Sequence, residues 1–219
     1  MLLRLVNLVG VKLRMFGIHL GFRQYKILSE YECSATDFAL VVQGPYVKLG
    51  RFTFAMLKYY RDTFPNSVII YSTTSELPNE DAMLLEDKFK IDIVKPTCDI
   101  QPGPFNFNLQ LLTTNAGLDH LSDYGERVKF VLKTRSDQVL LNGKFFEYFK
   151  MLLEQYPLNK NTKGQQRRLL FSSLGSFHSR LYGLSDMLVF GLKDDVLSYF
   201  ACEYDLRSTE ELSIADSAG

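Results

Sequence analysis

The hydrophobic and polar positions of this chain follow two alternating patterns from Asp37 onward. Short apolar runs are typical of buried strands, and they predict strands at residues 38–42, 67–71, 91–94, 128–134, 169–173 and 187–190. The segments between most of them carry apolar residues at helical spacing, which predicts helices at residues 52–64, 80–89, 107–121, 144–156 and 194–200. Strands that alternate with helices indicate a parallel sheet with helical crossovers. The sequence therefore predicts a single α/β domain with a mostly parallel, Rossmann-like sheet flanked by helices.

The same pattern divides the chain into three parts. The α/β pattern occupies residues 37–205, and the acidic segment 206–219 has too few apolar side chains to form a core, which predicts a disordered or truncated tail. Residues 1–30 form a basic, apolar segment without a run of the roughly 20 apolar residues that a membrane-spanning helix needs. Two interpretations remain for this segment: a helix at a membrane surface and an ordinary packed helix.

Composition argues against two broad classes of function. The 25 Lys and Arg residues balance the 25 Asp and Glu residues, so the chain has no overall positive field for nucleic acid. The three cysteines, Cys33, Cys98 and Cys202, are widely spaced and contain no Cys-x-x-Cys pair. That pattern argues against a disulfide framework and against a structural zinc site, and it favours a reducing cytoplasm.

The motif Lys133-Thr-Arg-Ser-Asp-Gln138 is the first candidate for chemistry. It ends a predicted buried strand, and α/β sheets bind ligands beyond the carboxyl ends of their strands. If the extended conformation continues through Asp137, then Lys133, Arg135 and Asp137 project to the same side. Two cations and one carboxylate suit a phosphate-bearing ligand together with a divalent cation. The alternative is an exposed loop with a surface ion pair, which contributes under about 1 kcal/mol.

The sequence lacks the common fingerprints of several other enzyme classes. Residues 44–51 contain neither Gly-x-Gly-x-x-Gly nor a P-loop, and no Gly-x-Ser-x-Gly motif occurs. Dehydrogenase, NTPase and hydrolase interpretations therefore lose their main support. What remains is a sheet with polar loops after its strands, and such loops can hold a nucleotide through backbone groups.

Four motifs occur in the order of a known family: Asp37-Phe-Ala-Leu-Val-Val-Gln-Gly-Pro-Tyr46, Pro102-Gly-Pro-Phe-Asn106, Lys133-Thr-Arg-Ser-Asp-Gln138 and Tyr182-Gly-Leu-Ser-Asp-Met187. With these motifs the chain resembles the WavE lipopolysaccharide-synthesis family of bacterial glycosyltransferases over about residues 37–200. The resemblance implies a glycosyltransferase-A-like fold and an enzyme that uses a nucleotide sugar. It also implies a lipopolysaccharide or another surface polysaccharide as acceptor. The family pattern has an Arg at the position of Leu109.

The resemblance also implies roles for individual residues. Asp137 is expected at the diphosphate as a catalytic residue and as the ligand of Mg²⁺ or Mn²⁺, because enzymes of this fold often bridge an Asp-x-Asp and the diphosphate with a metal. Arg135 stands in place of the first acid, so Arg135 or Lys133 is expected to neutralise part of the leaving group's charge. Asn106 is equally explained as a helix cap. The residues expected to contact the donor are Gln43, Gly44, Pro45, Ser72, Thr73, Asn106, Asn108, Gln110, Lys133 and Arg135.

Asp186 is the candidate base for the acceptor hydroxyl. Sugar transfer with inversion needs a carboxylate or an imidazole within hydrogen-bond reach of that hydroxyl. The alternative is an Asp that serves as a turn or cap residue before a strand. His178, Arg180 and Tyr182 lie in the preceding loop and are expected to contact the acceptor or a phosphate.

The sequence thus predicts a glycosyltransferase that moves a sugar from a nucleotide-sugar donor to a lipopolysaccharide or another surface polysaccharide. Its expected place is the cytoplasm, with peripheral contact at the inner membrane face as a further expectation. One alternative is a nucleotidyltransferase that acts on a sugar phosphate and releases pyrophosphate. The other is a non-catalytic sugar-binding or scaffold module of an envelope-polymer complex, because the strand-end motif retains a single acid.

Overall fold

The computed structural model describes residues 35–159, 164–173 and 184–206. The strands within these ranges are β1 (Phe38–Gln43), β2 (Val68–Ser72), β3 (Asp92–Val94), β4 (Phe130–Arg135), β5 (Leu170–Phe171) and β6 (Leu188–Leu192). The α-helices are α1 (Phe52–Thr63), α2 (Asn79–Met83), α3 (Phe107–Asp119), α4 (Phe145–Gln155) and α5 (Lys193–Phe200). A π-helical turn, Leu84–Lys88, extends α2, and 3-10 turns occur at Leu49–Arg51, Pro104–Asn106 and His120–Arg127.

The six strands form one mixed sheet in the order β3-β2-β1-β4-β6-β5. The pairs β1–β2, β2–β3 and β1–β4 are parallel, which confirms the predicted mostly parallel α/β sheet. Strand β6 runs antiparallel to β4, and β5 runs antiparallel to β6. The chain winds outward from β1 to β3 and then crosses to β4 on the other side of β1. Ligands of open α/β sheets bind at such a reversal of strand order, beyond the carboxyl ends of the two strands.

Helices cover both faces of the sheet. Successive side chains of a strand point to opposite faces, so each strand contributes to two clusters. Phe38, Leu40 and Val42 of β1 belong to a cluster that includes residues of α1 and α4. Ala39 and Val41 belong to a second cluster, which includes residues of α3 and α5. Double coverage explains why the strands appear in the sequence as continuous apolar runs rather than alternating ones.

Most predicted elements are present, with boundaries that differ by a few residues. The predicted helix 107–121 ends at Asp119 and continues as a 3-10 turn, and the last predicted strands differ most, since β5 contains only Leu170 and Phe171. Residues 1–30 and most of the predicted tail lie outside the described residues. Among the described residues, no helix combines the length and the apolarity that crossing a bilayer requires.

Candidate active site

A cleft of about 340 Å³ lies at the strand-order reversal between β1 and β4. Four segments line it: the end of β1, the loop after β2, the start of α3 and the end of β4. Its lining residues are Gln43, Gly44, Pro45, Thr74, Ser75, Asn106, Leu109, Gln110, Thr113, Arg135, Ser136 and Asp137. A volume of this size is within the usual range of small-molecule sites.

The end of β1 and the end of β4 meet closely at Gly44 and Ser136. The Ser136 main-chain N–H donates to Gln43 at 2.9 Å, and the Ser136 hydroxyl donates to the Pro45 carbonyl at 2.7 Å. A Cβ on Gly44 would lie 2.6 Å from Ser136 Oγ, and the φ of Gly44 is 124°. Only glycine fits such an approach without strain. The motif that contains Gln43, Gly44 and Pro45 therefore lies against the strand-end motif, and both line the cleft.

The loop that continues from β1 is anchored on a buried carboxylate. Tyr46 and Arg51 both donate hydrogen bonds to Asp81, which lies at the start of α2. Burial, together with the hydrogen bond to Asp81, raises the pKa of the Tyr46 hydroxyl well above its ordinary value. Tyr46 therefore stays protonated at any physiological pH and holds the loop as a hydrogen-bond donor.

Ser72 and Thr73 do not line the cleft, whereas Thr74 and Ser75 do. Strand β2 extends through Ser72, and both Ser72 and Thr73 are completely buried. The Thr73 hydroxyl accepts a hydrogen bond from the Ser75 main chain at 2.9 Å, so it stabilises the turn itself. The loop named in the sequence analysis thus reaches the cleft, but through the two residues that follow Ser72 and Thr73.

The loop before α3 holds two consecutive non-glycine residues with positive φ. These are Phe105, with φ of 53°, and Asn106, with φ of 60°. Asn106 occupies the N-cap position of α3, but its side chain makes no capping hydrogen bond. The interpretation as a cap is therefore wrong, because a capping side chain requires an extended backbone at that position. Asn106 lines the cleft instead.

Asn108, two residues later, is buried and binds the main chain of two other segments. It is almost completely buried, does not line the cleft, and its Nδ2 donates to the Gln101 carbonyl at 3.0 Å and to the Asp205 carbonyl at 2.7 Å. Its Oδ1 accepts from the Asp205 main chain at 2.7 Å. Asn108 thus connects the segment after α5 to the loop before α3.

Arg135 and Asp137 form the charged part of the cleft. Arg135 Nε lies 3.0 Å from Asp137 Oδ1, and Nη2 lies 2.7 Å from Oδ2. The hydrogen bond from Arg135 is the main cause that lowers the pKa of Asp137 below its ordinary value. The extended conformation ends at Arg135, so the expected alternation through Asp137 is wrong, and Asp137 reaches Arg135 from the turn that follows β4.

Asp186 contacts the opposite side of Arg135, outside the cleft lining. Its Oδ2 lies 3.6 Å from Arg135 Nη1 and 4.0 Å from Lys133 Nζ. This oxygen is buried and has no hydrogen-bond partner among the described residues, although 46% of the side chain is exposed. The solvent-exposed surface of Asp186 therefore belongs to the other atoms of its side chain.

Lys133 also lies behind the cleft rather than in its lining. Its side chain is 1% exposed, and its ammonium group donates a hydrogen bond to the main-chain carbonyl of Asp186. Gln138, the last residue of the same motif, donates to the main-chain carbonyl of Met187 and, at 2.8 Å, to Thr134. The strand-end motif therefore binds the Ser-Asp-Met motif directly, and the two motifs form one structural unit.

Sequence reasoning did not identify Thr113 as a cleft residue. Its hydroxyl donates to Gln43 at 3.0 Å and to the Leu109 carbonyl at 2.8 Å. Leu109, Gln110 and Thr113 follow the spacing i, i+1 and i+4, which places them on one face of α3, and Asn106 lies immediately before that helix. This spacing is visible in the sequence. The expected acceptor or phosphate contacts His178, Arg180 and Tyr182 lie outside the described residues.

Comparison with known proteins identifies a family. A family model described as WavE lipopolysaccharide synthesis matches residues 38–217. This match confirms the resemblance that the four sequence motifs carry. No curated protein matches the chain.

Proposed function

Because the chain belongs to the WavE lipopolysaccharide synthesis family, we propose that it is a glycosyltransferase that uses a nucleotide sugar. The family supports a role in lipopolysaccharide biosynthesis. The observation that carries the proposal is the cleft at the β1–β4 reversal, with Arg135 and Asp137 at its charged end. A lipopolysaccharide or another surface polysaccharide is the proposed acceptor.

The donor's nucleotide occupies the part of the cleft formed by Gln43, Thr74 and Asn106. Amide and hydroxyl groups there offer hydrogen bonds to a base and a ribose. The diphosphate lies at Arg135, whose planar guanidinium can bind two phosphate oxygens at once. Asp137 holds Arg135 at two points and so fixes the plane of the guanidinium.

The charge of the described cleft supports a divalent cation. Arg135 and Asp137 are its charged lining residues, and their charges cancel. Leu109 lies in the lining where the family pattern has an Arg. A diphosphate therefore finds no surplus positive charge there, and a Mg²⁺ or Mn²⁺ ion would supply the neutralisation that the leaving group needs.

The described residues fit a cation that is held mainly by the phosphate oxygens of the donor. No group of three or more His, Cys, Asp or Glu side chains that could hold a metal occurs in the described part of the chain. Asp137 is 42% exposed at the cleft and can offer one carboxylate. One or two carboxylates together with substrate phosphates are a common Mg²⁺ environment. Asp186, held beside Arg135, is the proposed base for the acceptor hydroxyl.

A thermal-shift panel tests donor binding. A nucleotide sugar at 100 times its dissociation constant should stabilise the native state by about 2.7 kcal/mol. For a domain of this size the melting temperature should rise by roughly 5 to 10 °C. UDP-, GDP-, CMP- and dTDP-sugars are compared with and without Mg²⁺ or Mn²⁺. The absence of any shift at millimolar concentration would remove the proposal.

Turnover separates the two alternatives from the leading function. A glycosyltransferase releases the nucleotide from its sugar donor. A nucleotidyltransferase consumes a nucleoside triphosphate with a sugar phosphate and releases pyrophosphate. Donor binding without any turnover indicates a sugar-binding module.

A further inference from the structure

Lys133 places an ammonium group in the interior of the sheet. Its strand, β4, lies between β1 and β6, and the residues beside it in register are Val41 and Val189. The Phe200 ring from α5 lies 5.6 Å from the Lys133 nitrogen. Burial lowers the pKa of Lys133 to about 8, so the surroundings disfavour its charged form.

Stability alone does not explain a lysine at this position. Among the described residues its hydrogen bond goes to the main-chain carbonyl of Asp186, and the nearest carboxylate oxygen is Asp186 Oδ2 at 4.0 Å. A buried charge with so few partners does not recover its full desolvation penalty. An apolar residue of similar length, such as methionine, would fill the same space without that penalty.

Among the described residues, the two oxygen atoms that partner the Lys133 ammonium group both belong to Asp186. Its hydrogen bond fixes the main chain of the turn that carries Asp186, while Arg135 Nη1 lies 3.6 Å from the Asp186 carboxylate. Lys133 is thus connected to the cleft through Asp186 and Arg135, although it does not line the cleft.

We infer that Lys133 is a positioning residue, which holds the Asp186 turn so that the carboxylate lies beside Arg135 at the charged end of the cleft. This inference rests on the proposed function, in which Asp186 accepts the acceptor's proton. It replaces the sequence-based expectation that Lys133 contacts the diphosphate. If Lys133 has this role, its loss should lower the rate of transfer more than it lowers the affinity for the donor.

Lys133→Met tests the inference. The melting temperature should stay the same or rise, because the buried charge is gone. The kcat should fall by about a hundredfold, since a small displacement of a reacting group has effects of that order. The KM for the donor should stay unchanged. Preserved turnover, or a lowered melting temperature with normal activity per folded molecule, would overturn the inference. If Lys133→Met folds poorly, Lys133→Gln, which keeps an N–H donor, is judged by the same criteria.

Lys150→Met is the matched control. Lys150 lies at the other face of the sheet, with its nitrogen 3.4 Å from Asp37 and 4.9 Å from the centre of the Phe130 ring. It too combines a carboxylate partner with an aromatic neighbour, but neither Lys150 nor Asp37 lines the cleft. Its substitution should leave kcat unchanged. An equal fall in both variants would indicate a general loss of packing and contradict the specific role.

A double-mutant cycle shows whether Lys133 acts through Asp186. In an Asp186→Asn background, Lys133→Met should have little further effect on the rate, because residues that act as one unit are strongly non-additive. An equal fall in both backgrounds would show that Lys133 acts independently of Asp186, which overturns the inference.

Hydrogen exchange gives a readout that needs no turnover. Main-chain amides of residues 184–188 should exchange faster in Lys133→Met than in the wild type, and should be unchanged in Lys150→Met. If the wild type transfers no sugar but this exchange pattern appears, the proposed function fails while the positioning role stands. If exchange is unchanged, Lys133 does not hold this turn, and the inference fails.

Discussion

Asn108 and Asp205 are 97 residues apart in the sequence, yet the side-chain amide of one pairs with the main chain of the other through two hydrogen bonds of 2.7 Å. Asn108→Ala removes both bonds and the 3.0 Å bond to the Gln101 carbonyl. Buried groups left without partners cost about 1 to 3 kcal/mol. We expect a melting temperature lower by roughly 3 to 10 °C, measured by calorimetry, with unchanged donor affinity.

Asn106→Gly is the control for that prediction. Asn106 has a positive φ that glycine adopts freely, makes no capping bond and lines the cleft. Its substitution should leave the melting temperature unchanged and weaken donor binding. If Asn108→Ala weakens donor binding and preserves stability instead, the sequence-based expectation that Asn108 contacts the donor would be correct.

Phe105 combines a φ of 53° with a side chain that is 87% exposed. A left-handed conformation costs a non-glycine residue roughly 1 to 2 kcal/mol, and an exposed ring offers little packing in return. Phe105→Gly should therefore raise the free energy of unfolding by up to about 1 kcal/mol. Phe107→Gly should lower it by about the same amount, because the φ of Phe107 is −55° and the residue begins α3. Urea denaturation of both variants measures these opposite signs, and a loss in both would contradict the strain argument.

The sequence predicts the sheet well because its strands are covered on both faces and therefore appear as long apolar runs. It does not predict that β6 runs antiparallel to β4. Local patterns determine whether a segment is extended, but the direction of a strand depends on how the chain returns to the sheet, and that is a property of tertiary structure.

The candidate site was predictable at the level of motifs and less so at the level of residues. The alternation of side chains places Lys133 and Arg135 on the same face, but Lys133 is buried because β6 and α5 cover it. Strand β2 ends one residue later than predicted, so the residues of its loop that line the cleft are Thr74 and Ser75 rather than Ser72 and Thr73. How deeply a side chain is buried and where a strand ends both depend on tertiary packing, which a local sequence pattern does not record.

We expect sugar transfer to depend on a divalent metal ion, because the charges of Arg135 and Asp137 cancel in the cleft lining. Treatment with EDTA should abolish sugar transfer, and Mg²⁺ or Mn²⁺ should restore it, because the leaving diphosphate needs a further positive charge. The measurement is initial rate against free metal concentration, with the melting temperature as a control for folding. Full activity in EDTA would show that Arg135 alone is sufficient for the leaving group.

Acid should weaken the contribution of Asp137 to stability. Its pKa lies below the ordinary value of 3.8, mainly because Arg135 donates a hydrogen bond to the charged form. A lowered native pKa stabilises the protein above the unfolded-state pKa, and this stabilisation is lost as the pH falls through the native value. The melting temperatures of the wild type and Asp137→Asn should therefore differ most above about pH 4 and converge in stronger acid. A difference that does not shrink as the pH falls below 3.8 would contradict the ion-pair origin.

Asp137→Asn is also the decisive test of catalysis. The substitution keeps the shape of the side chain and removes the charge that would hold a cation and orient Arg135. The ion pair is partly exposed, so the free energy of unfolding should change by less than about 1 kcal/mol. Transfer should fall by about a hundredfold to a thousandfold, the usual effect of losing one well-placed electrostatic partner.

Asp62→Asn provides the matched comparison for Asp137→Asn. Asp62 pairs with Lys58 on the exposed surface of α1, four residues away, so the same chemical change there removes an ion pair without approaching the cleft. It should alter neither turnover nor the melting temperature measurably. A structural Asp137 would give the opposite pattern, a lower melting temperature with normal activity per folded molecule. Because stability and turnover are measured on the same preparation, near-normal turnover of Asp137→Asn would exclude this carboxylate from catalysis and leave Arg135 as the charged group of the cleft.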